Sequence, residues 1–301
     1  SFYNVVGGWT IKYMIASLTG LMGAAAEGKA GEIFGAFTNQ SWQVVFFQIV
    51  FMVLTMLIVL GGVGKGIERS CKVMMPALFV IVAILIVRSM TLPGAGAGID
   101  FYLKPDLSKL TPAAFLDALG QNFFSFSLGL GIMLTYGSYL GKDERLPSAS
   151  LWTGALDTLI AFLAGLAIFP AVFAMWLEPG QGAGLSFVTL PGVFAKMPAG
   201  MLFSFLFFLL LFFAAITSAM SLFEVAVAFG LTTRTPRTGQ GYPPPGATPP
   251  GRSPAATAYR RPMAADPAAR LGPGPRPLTL TLAVAVGVGF GLSVGARIMP
   301  P

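Results

Sequence analysis

The chain has 301 residues, of which 55% are hydrophobic and 10% are charged, and its mean hydropathy is +0.75. A soluble globular protein usually carries about 25% charged residues, so this composition excludes water as the main solvent and predicts a protein embedded in lipid. The net charge of +7 lies entirely in residues 231–301, which hold eight arginines and one acid, so the apolar part has no basic patch and no nucleic-acid partner is predicted.

Apolar runs, each long enough to cross a bilayer core, recur from the first residue to residue 229. The first run lacks the basic start of a secretory signal peptide. Because the chain opens in mid-run without a starting Met, we expect a fragment of a longer protein. The sequence predicts an all-α, polytopic transmembrane helix bundle in residues 1–230. Six candidate spans lie at roughly 1–23, 42–60, 73–92, 113–140, 149–177 and 200–229.

The loops between these spans predict an orientation in the membrane. Residues 61–72 carry three basic residues against one acid, which favours the cytoplasm by the positive-inside rule. Alternation then places residues 24–41, 93–112 and 178–199 on the outer side and residues 141–148 on the cytoplasmic side.

The fourth span is too long for one simple helix and carries two serines and two glycines at its centre, in residues 125–131. Glycine weakens a helix by about 1 kcal/mol relative to alanine, and serine offers the backbone alternative hydrogen bonds, so a helix can unwind here. Unwound backbone at membrane depth is tolerated only where it is buried in protein or lines a cavity. Close helix packing through small residues is the alternative that the sequence leaves open.

The composition changes abruptly after residue 230. Residues 231–277 are rich in proline, glycine and arginine, which predicts a disordered segment because it cannot bury enough apolar surface to fold. Residues 278–301 form an apolar C-terminal segment that is just long enough to span a bilayer but does not specify a helix. Out-of-frame translation of GC-rich DNA is an alternative origin for residues 231–301, and one continuous reading frame at the locus would exclude it.

Acidic residues inside the apolar runs are candidate ion ligands. Asp157 has no basic residue within a helical turn on either side, and intramembrane acids usually face a cavity where they bind an ion or a proton. A solvated helix end is the alternative. Glu224 is weaker evidence, because its place near the end of the last span can lie close to the interface.

Within the last span, residues 214–221 carry hydroxyl side chains at Thr217, Ser218 and Ser221. Thr217 and Ser221 share one helical face. Hydroxyl and carbonyl oxygens are the ligands that hard cations prefer, a rule stated for Ca²⁺ and Mg²⁺ that extends to Na⁺. The alternative is that these hydroxyls bond to carbonyls four residues back in the same helix.

Five groups of residues, taken in chain order, carry a family resemblance. They are Ser-Phe-Tyr-Asn at 1–4 with Trp9-Thr10, Gly64-Lys-Gly-Ile-Glu-Arg69 followed by Met75-Pro76, Gly120-Gln-Asn-Phe-Phe-Ser-Phe-Ser-Leu-Gly129, Thr135-Tyr136 with Tyr139, and Phe212-Phe213-Ala214 with Thr217-Ser218. This pattern, which covers residues 1–229, resembles the bacterial branch of the neurotransmitter:sodium symporter family. The resemblance implies that the spans are similar to family helices three to eight of a partial inverted-repeat transporter fold, with 113–140 as the unwound sixth helix.

The resemblance also implies a substrate pocket and two sodium sites. The matching pocket positions are Tyr3, Phe124, Ser125, Ser127, Leu130, Ser218 and Leu222. Tyr3 would contact the substrate carboxylate, whereas Phe124, Ser125 and Ser127 would receive its ammonium. Ser125 and Asp157 would ligate the first sodium ion, and the charge of Asp157 would replace the chloride that many animal members need. The matching ligands of the second sodium ion are the Ala214 carbonyl, Thr217 and Ser218.

The match does not include family helices one, two and nine to twelve. In relatives the unwound first helix supplies half of the substrate contacts and ligands to both ions. We therefore expect that this chain alone lacks a complete site and does not transport. Sodium-dependent amino-acid uptake by proteoliposomes that contain only this polypeptide would refute this expectation.

The leading prediction is sodium-driven import of an amino acid, hydrophobic or aromatic from the apolar pocket positions, by a multi-pass protein of the cell's inner (plasma) membrane. Its partners would be the amino acid and the lipid bilayer, with Na⁺ and no organic cofactor. A non-transporting membrane scaffold or decayed remnant is the alternative. An enzyme is not predicted, because the chain has one cysteine, Cys71, no histidine, and no nucleophile with an evident base.

Overall fold

The computed structural model describes residues 2–104, 111–139, 146–176 and 184–234. Within these ranges the chain forms α-helices, two π-helical segments (Val63–Glu68 and Leu185–Thr189) and no strand, in agreement with the all-α prediction. The α-helices are α1 (Phe2–Thr19), α2 (Leu21–Ala26), α3 (Ala30–Asn39), α4 (Ser41–Leu60), α5 (Arg69–Met90), α6 (Ala95–Leu103), α7 (Pro112–Ser125), α8 (Ile132–Gly137), α9 (Leu146–Ala174), α10 (Leu190–Ala195) and α11 (Gly200–Arg234).

Four helical stretches of the described residues are long and apolar enough to cross a membrane. They are Ser41–Leu60, Val63–Met90, Leu146–Ala174 and Gly200–Gly230. They coincide with the second, third, fifth and sixth predicted spans, and the chain is a multi-pass membrane protein. The other two predicted spans take different forms: α1 ends at Thr19, where Gly20 (φ 123°) turns the chain into α2, and the stretch 113–140 is broken into α7 and α8.

The predicted outer loops contain short helices that the sequence patterns do not indicate. Residues 24–41 hold part of α2 and α3, residues 93–112 hold α6, and residues 178–199 hold a π-helical segment and α10. These α-helices have six to ten residues. Helices of that length are unstable alone, so packing on the bundle stabilises them rather than a periodic pattern of their own.

Helix α1 packs tightly between α4 and α11. A Cβ atom at Gly7 would lie 2.4 Å from the Phe51 ring, and one at Gly8 would lie 2.7 Å from the Gln48 backbone nitrogen. Glycine at these two positions lets the backbones of α1 and α4 approach closely, as small residues do at helix interfaces in membranes.

Helix α9 packs against α5 on one side and α6 on another. A Cβ at Gly98 of α6 would lie 2.5 Å from the Phe169 carbonyl oxygen of α9, and one at Gly165 would lie 2.2 Å from the Tyr102 ring. The Tyr102 hydroxyl donates a hydrogen bond to the Phe162 carbonyl at 3.2 Å. These contacts join α6 and α9 along most of the length of α6.

An aromatic cluster joins two of the predicted outer loops. The Phe187 ring stacks on Phe34 at 5.7 Å between centroids and meets Trp9 and Tyr13 edge-on at 5.6 Å and 5.0 Å. Phe34 belongs to α3 and Phe187 to the π-helical segment before α10. Residues 24–41 and 178–199 thus meet on one side of the bundle, in agreement with the predicted alternation.

The predicted boundary at residue 230 falls inside α11, whose backbone continues to Arg234. From residue 235 onward, the predicted disordered segment and apolar C-terminal segment lie outside the described residues. Both stay predictions.

Candidate functional site

The long fourth predicted span is interrupted at its centre. Helix α7 ends at Ser125 and α8 begins at Ile132. The Leu128 N–H donates to the Phe123 carbonyl and the Ser127 N–H to the Phe124 carbonyl, both at 3.0 Å, which are the two hydrogen bonds of a Schellman motif.

Backbone angles explain why this stretch does not stay helical. Ser127 has a φ of 55°, and Gly129 and Gly131 follow with φ of 82° and 78°. Glycine reaches this left-handed region without strain, whereas serine does so at a cost. The predicted unwinding is confirmed, and residues 126–131 separate two helices instead of continuing one.

The break brings the predicted ligands of the first sodium ion together. The Ser125 hydroxyl, at the last residue of α7, lies 3.0 Å and 2.8 Å from the two carboxylate oxygens of Asp157 and donates to them. Both residues are only 5% exposed. No salt bridge to Asp157 occurs among the described residues.

A buried carboxylate without a cation costs free energy, and one hydroxyl donor compensates only part of it. A monovalent cation would neutralise the charge and take both the carboxylate and the hydroxyl oxygens as hard ligands. The pair formed by Ser125 and Asp157 therefore fits a sodium ion by its donor set.

Two buried hydroxyl groups beside the break have no hydrogen-bond partner among the described residues. They belong to Tyr3 on α1 and to Ser127, which is fully buried. The Tyr3 and Phe124 rings stack with 6.5 Å between centroids. Buried polar groups in proteins are almost always satisfied, so these two orphan hydroxyls mark a place where a polar ligand fits.

Two apolar pocket positions from the sequence flank the break. Leu130 lies within it and is 40% exposed, whereas Leu222 on α11 is partly buried against the core. Phe124 is 38% exposed. Apolar side chains therefore flank the break both on the α7–α8 segment and on α11.

Gln121 was not among the site residues predicted from the sequence, although it lies one helical turn before Ser125 on α7. Its side-chain nitrogen is buried and has no partner among the described residues. It lies four residues before Ser125 on α7, so both side chains share a helical face. That spacing was the available signal, because an amide one turn from a candidate ligand points toward the same region.

The predicted ligands of the second sodium ion lie together on buried α11. The Thr217 hydroxyl donates to the Phe213 and Ala214 carbonyls at 2.9 Å and 3.0 Å, and the Ser218 hydroxyl donates to the Ala214 carbonyl at 3.0 Å. The Ser221 hydroxyl also bonds back, to the Thr217 carbonyl at 3.3 Å. This geometry is the alternative interpretation, in which the hydroxyls bond to carbonyls of their own helix. It also brings two hydroxyl oxygens, those of Thr217 and Ser218, to the Ala214 carbonyl oxygen.

The second intramembrane acid is more buried than its place in the sequence indicated. Glu224 is 5% exposed and accepts a hydrogen bond from the Tyr139 hydroxyl at 2.7 Å. One turn earlier, the Tyr136 hydroxyl lies 3.4 Å from the Ser221 hydroxyl. The Glu224 side chain is therefore enclosed between α11 and the segment that carries Tyr139, whereas its position close to the interface stays a prediction.

Comparison with known proteins identifies a family of similar sequences. The model of the sodium:neurotransmitter symporter family matches residues 32–237. The chain is 43% identical over 228 residues to the sodium-dependent transporter YhdH of Bacillus subtilis, covering 76% of this chain and 51% of the relative. It is 40% identical over 231 residues to a sodium-dependent transporter of Haemophilus influenzae, covering 75% and 50%.

A solved structure has the same fold. The crystal structure of MhsT in complex with L-phenylalanine matches with a TM-score of 0.70 and 44% identity, covering 77% of this chain and 53% of that chain. The chain thus spans about half the length of the relatives it matches.

Proposed function

We propose that this chain, which belongs to the sodium:neurotransmitter symporter family, forms the central part of a secondary transporter that imports an amino acid with sodium. The observation that carries the proposal is the contact between Ser125 at the end of the broken helix and the buried carboxylate of Asp157. The proposal concerns the whole protein, of which this chain matches about half in its relatives.

In the first sodium site, Asp157 supplies the charge and Ser125 supplies a neutral oxygen. When Na⁺ binds, the Ser125 hydroxyl turns a lone pair toward the ion in place of its proton toward the carboxylate. The full negative charge of Asp157 makes a separate chloride unnecessary, because the ion is already neutralised within the site.

In the second sodium site, the Ala214 carbonyl, Thr217 and Ser218 act together. Both hydroxyl oxygens lie 3.0 Å from the Ala214 carbonyl oxygen, so rotation of the two hydroxyl groups would offer three hard oxygen ligands. The remaining ligands of both ions would come from outside this chain, as the family resemblance implies.

The substrate is a hydrophobic or aromatic amino acid. The orphan hydroxyls of Tyr3 and Ser127 suit its carboxylate and ammonium groups, and the apolar surfaces of Phe124, Leu130 and Leu222 suit its side chain. The L-phenylalanine bound to MhsT supports this class of ligand for a relative with 44% identity.

Transport requires a conformational change and no bond chemistry. A broken helix places its site between two halves that can move separately, and such sites lie where one bundle rocks against another. The relatives named above are transporters, which agrees with a function other than catalysis.

The test is ligand binding by a chimera, here called the completed transporter, in which MhsT supplies the helices that this chain does not match. A panel of amino acids is added with and without Na⁺ and the thermal unfolding is followed. We expect stabilisation by hydrophobic or aromatic amino acids only when Na⁺ is present. MhsT itself is the positive control, and this chain alone is the control for an incomplete site.

If no amino acid stabilises a folded completed transporter with Na⁺, while MhsT responds, the transport proposal is wrong. The non-transporting scaffold would then be favoured.

A further inference from the structure

A cavity of about 440 Å³ lies between two of the loops that are predicted to face outward, and no residue of the broken helix lines it. One wall is the turn between α2 and α3, which contributes Ala25, Glu27 and Ala30. The facing wall is the segment through α10, which contributes Val188, Thr189 and Lys196. This volume lies within the range of about 300–1,000 Å³ that is usual for small-molecule sites.

The two walls carry opposite charges. Glu27 provides a carboxylate, and Lys196, directly after α10, provides an ammonium. Among the described residues, the ion pairs join Lys29 to Glu27, Lys72 to Glu68 and Lys104 to Asp100. Lys196 therefore has no ion pair within that part of the chain.

The ion pair of Glu27 is easily exchanged. Glu27 and Lys29 lie 2.7 Å apart, but their side chains are 64% and 54% exposed. Exposed pairs of this kind contribute little free energy, so another ammonium can replace Lys29 at the carboxylate.

We propose that this cavity binds a free α-amino acid in its zwitterionic form. Its α-carboxylate pairs with the Lys196 ammonium and its α-ammonium with the Glu27 carboxylate. A simple anion or cation satisfies one wall and is repelled by the other, whereas a zwitterion satisfies both. Thr189 also lines the cavity and could add a polar contact, and Ala25, Ala30 and Val188 make part of its lining apolar.

The ligand would bridge the α2–α3 turn and the segment through α10, which are already in contact through stacked aromatic side chains. Phe34 of α3 and Phe187 before α10 stack on each other, and Tyr13 contacts both. Occupancy would hold the α2–α3 turn against α10. None of these residues belongs to the central site, so the inference does not require the proposed function.

The test measures equilibrium binding of radiolabelled L-phenylalanine to the full chain in lipid nanodiscs, with choline replacing Na⁺. Because the charges are solvent-exposed, we expect weak saturable binding with a Kd of about 1 mM. Lys196→Gln and Glu27→Gln should each weaken it about tenfold. Lys104→Gln, which removes an exposed lysine that does not line the cavity, should leave it unchanged.

Two ligand analogues test the need for both charges. Phenethylamine has no carboxylate and 3-phenylpropionate has no ammonium, so each should compete at least tenfold more weakly than L-phenylalanine. Restored binding in the charge-reversed double variant, Glu27→Lys with Lys196→Glu, would support the pairing even if a single variant misfolds.

The proposal is overturned if the folded chain shows no saturable binding, or if Lys196→Gln and Lys104→Gln bind equally. It is also overturned if both analogues compete as well as L-phenylalanine. Because choline replaces Na⁺ in this assay, the central sodium-dependent site stays empty, which separates a failure here from a failure of that site.

Discussion

The polar groups of the broken helix and those of α11 are satisfied in different ways. Ser125 and Asp157 are 32 residues apart in sequence and meet across two helices. The hydroxyls of Thr217 and Ser221 instead bond to carbonyls of their own helix. The first arrangement exists only in the assembled bundle, whereas the second can form as soon as α11 forms.

Substitutions in these two regions should therefore affect the stability of the fold to different degrees. Removing one member of the Ser125–Asp157 pair leaves the other buried without its partner, which costs about 1–3 kcal/mol or more for a charged group. Removing a hydroxyl from α11 leaves a carbonyl that still has its backbone bond, so the fold changes little. The variants below test this contrast in the completed transporter, from the largest expected effect to the smallest.

Asp157→Ala should reduce sodium-dependent amino-acid binding at least 100-fold, because it removes the charge that we assign to the first sodium site. Binding is measured by titrating Na⁺ at fixed L-phenylalanine. Asp157→Asn is the matched control for shape, and it should lose most of the sodium response while its thermal unfolding stays close to that of the parent. Unchanged sodium dependence in folded Asp157→Ala would remove Asp157 from the site.

Ser125→Ala should raise the Na⁺ concentration for half-maximal binding about tenfold, or about 1.4 kcal/mol, because it removes a neutral oxygen ligand that we assign to the first sodium ion. The same titration measures it. Ser125→Thr retains the hydroxyl and should bind nearly as the parent does. Equal losses in the alanine and threonine variants would point to packing, not to the hydroxyl.

Glu224→Ala should weaken sodium-dependent binding less than tenfold, and clearly less than Asp157→Ala. Glu224 already accepts a 2.7 Å hydrogen bond from Tyr139 and lies beyond the residues assigned to either ion. Tyr139→Phe removes that donor and serves as its companion variant. A loss as large as that of Asp157→Ala would give both acids equal roles in ion binding and contradict the proposed site.

Thr217→Val should change the free energy of unfolding by less than about 1 kcal/mol, because its hydroxyl bonds only within α11 and valine has the same shape. Chemical unfolding of this chain, followed by circular dichroism, measures the change. In the completed transporter the same variant should still weaken the sodium response. If it destabilises the chain as much as Ser125→Ala does, the contrast between the two regions is wrong.

Composition and length were enough to find the long spans. Apolar runs at 42–60 and 200–229 correspond to α4 and α11, because lipid requires an uninterrupted apolar helix of that length. The break at 125–131 was also visible, since serine and glycine at mid-depth weaken a helix.

Local sequence patterns could not predict the short helices of the loops or the contacts between the site residues. α2 and α10 have six residues each and depend on packing against one another, which no local pattern specifies. Nothing in the spacing of Ser125 and Asp157 shows that they touch, and only the family resemblance paired them. The hydrogen bond to Glu224 comes from Tyr139, which follows α8 and is 85 residues away in sequence.

The close packing of α6 on α9 gives experimental access to the buried acid. Because Gly98 and Gly165 leave no gap between the two helices, α6 should follow any displacement of α9, which carries Asp157. Gly96 on α6 has open space around it. A fluorescent dye on Gly96→Cys would therefore report the movement of α9 during sodium binding without a label near the ion.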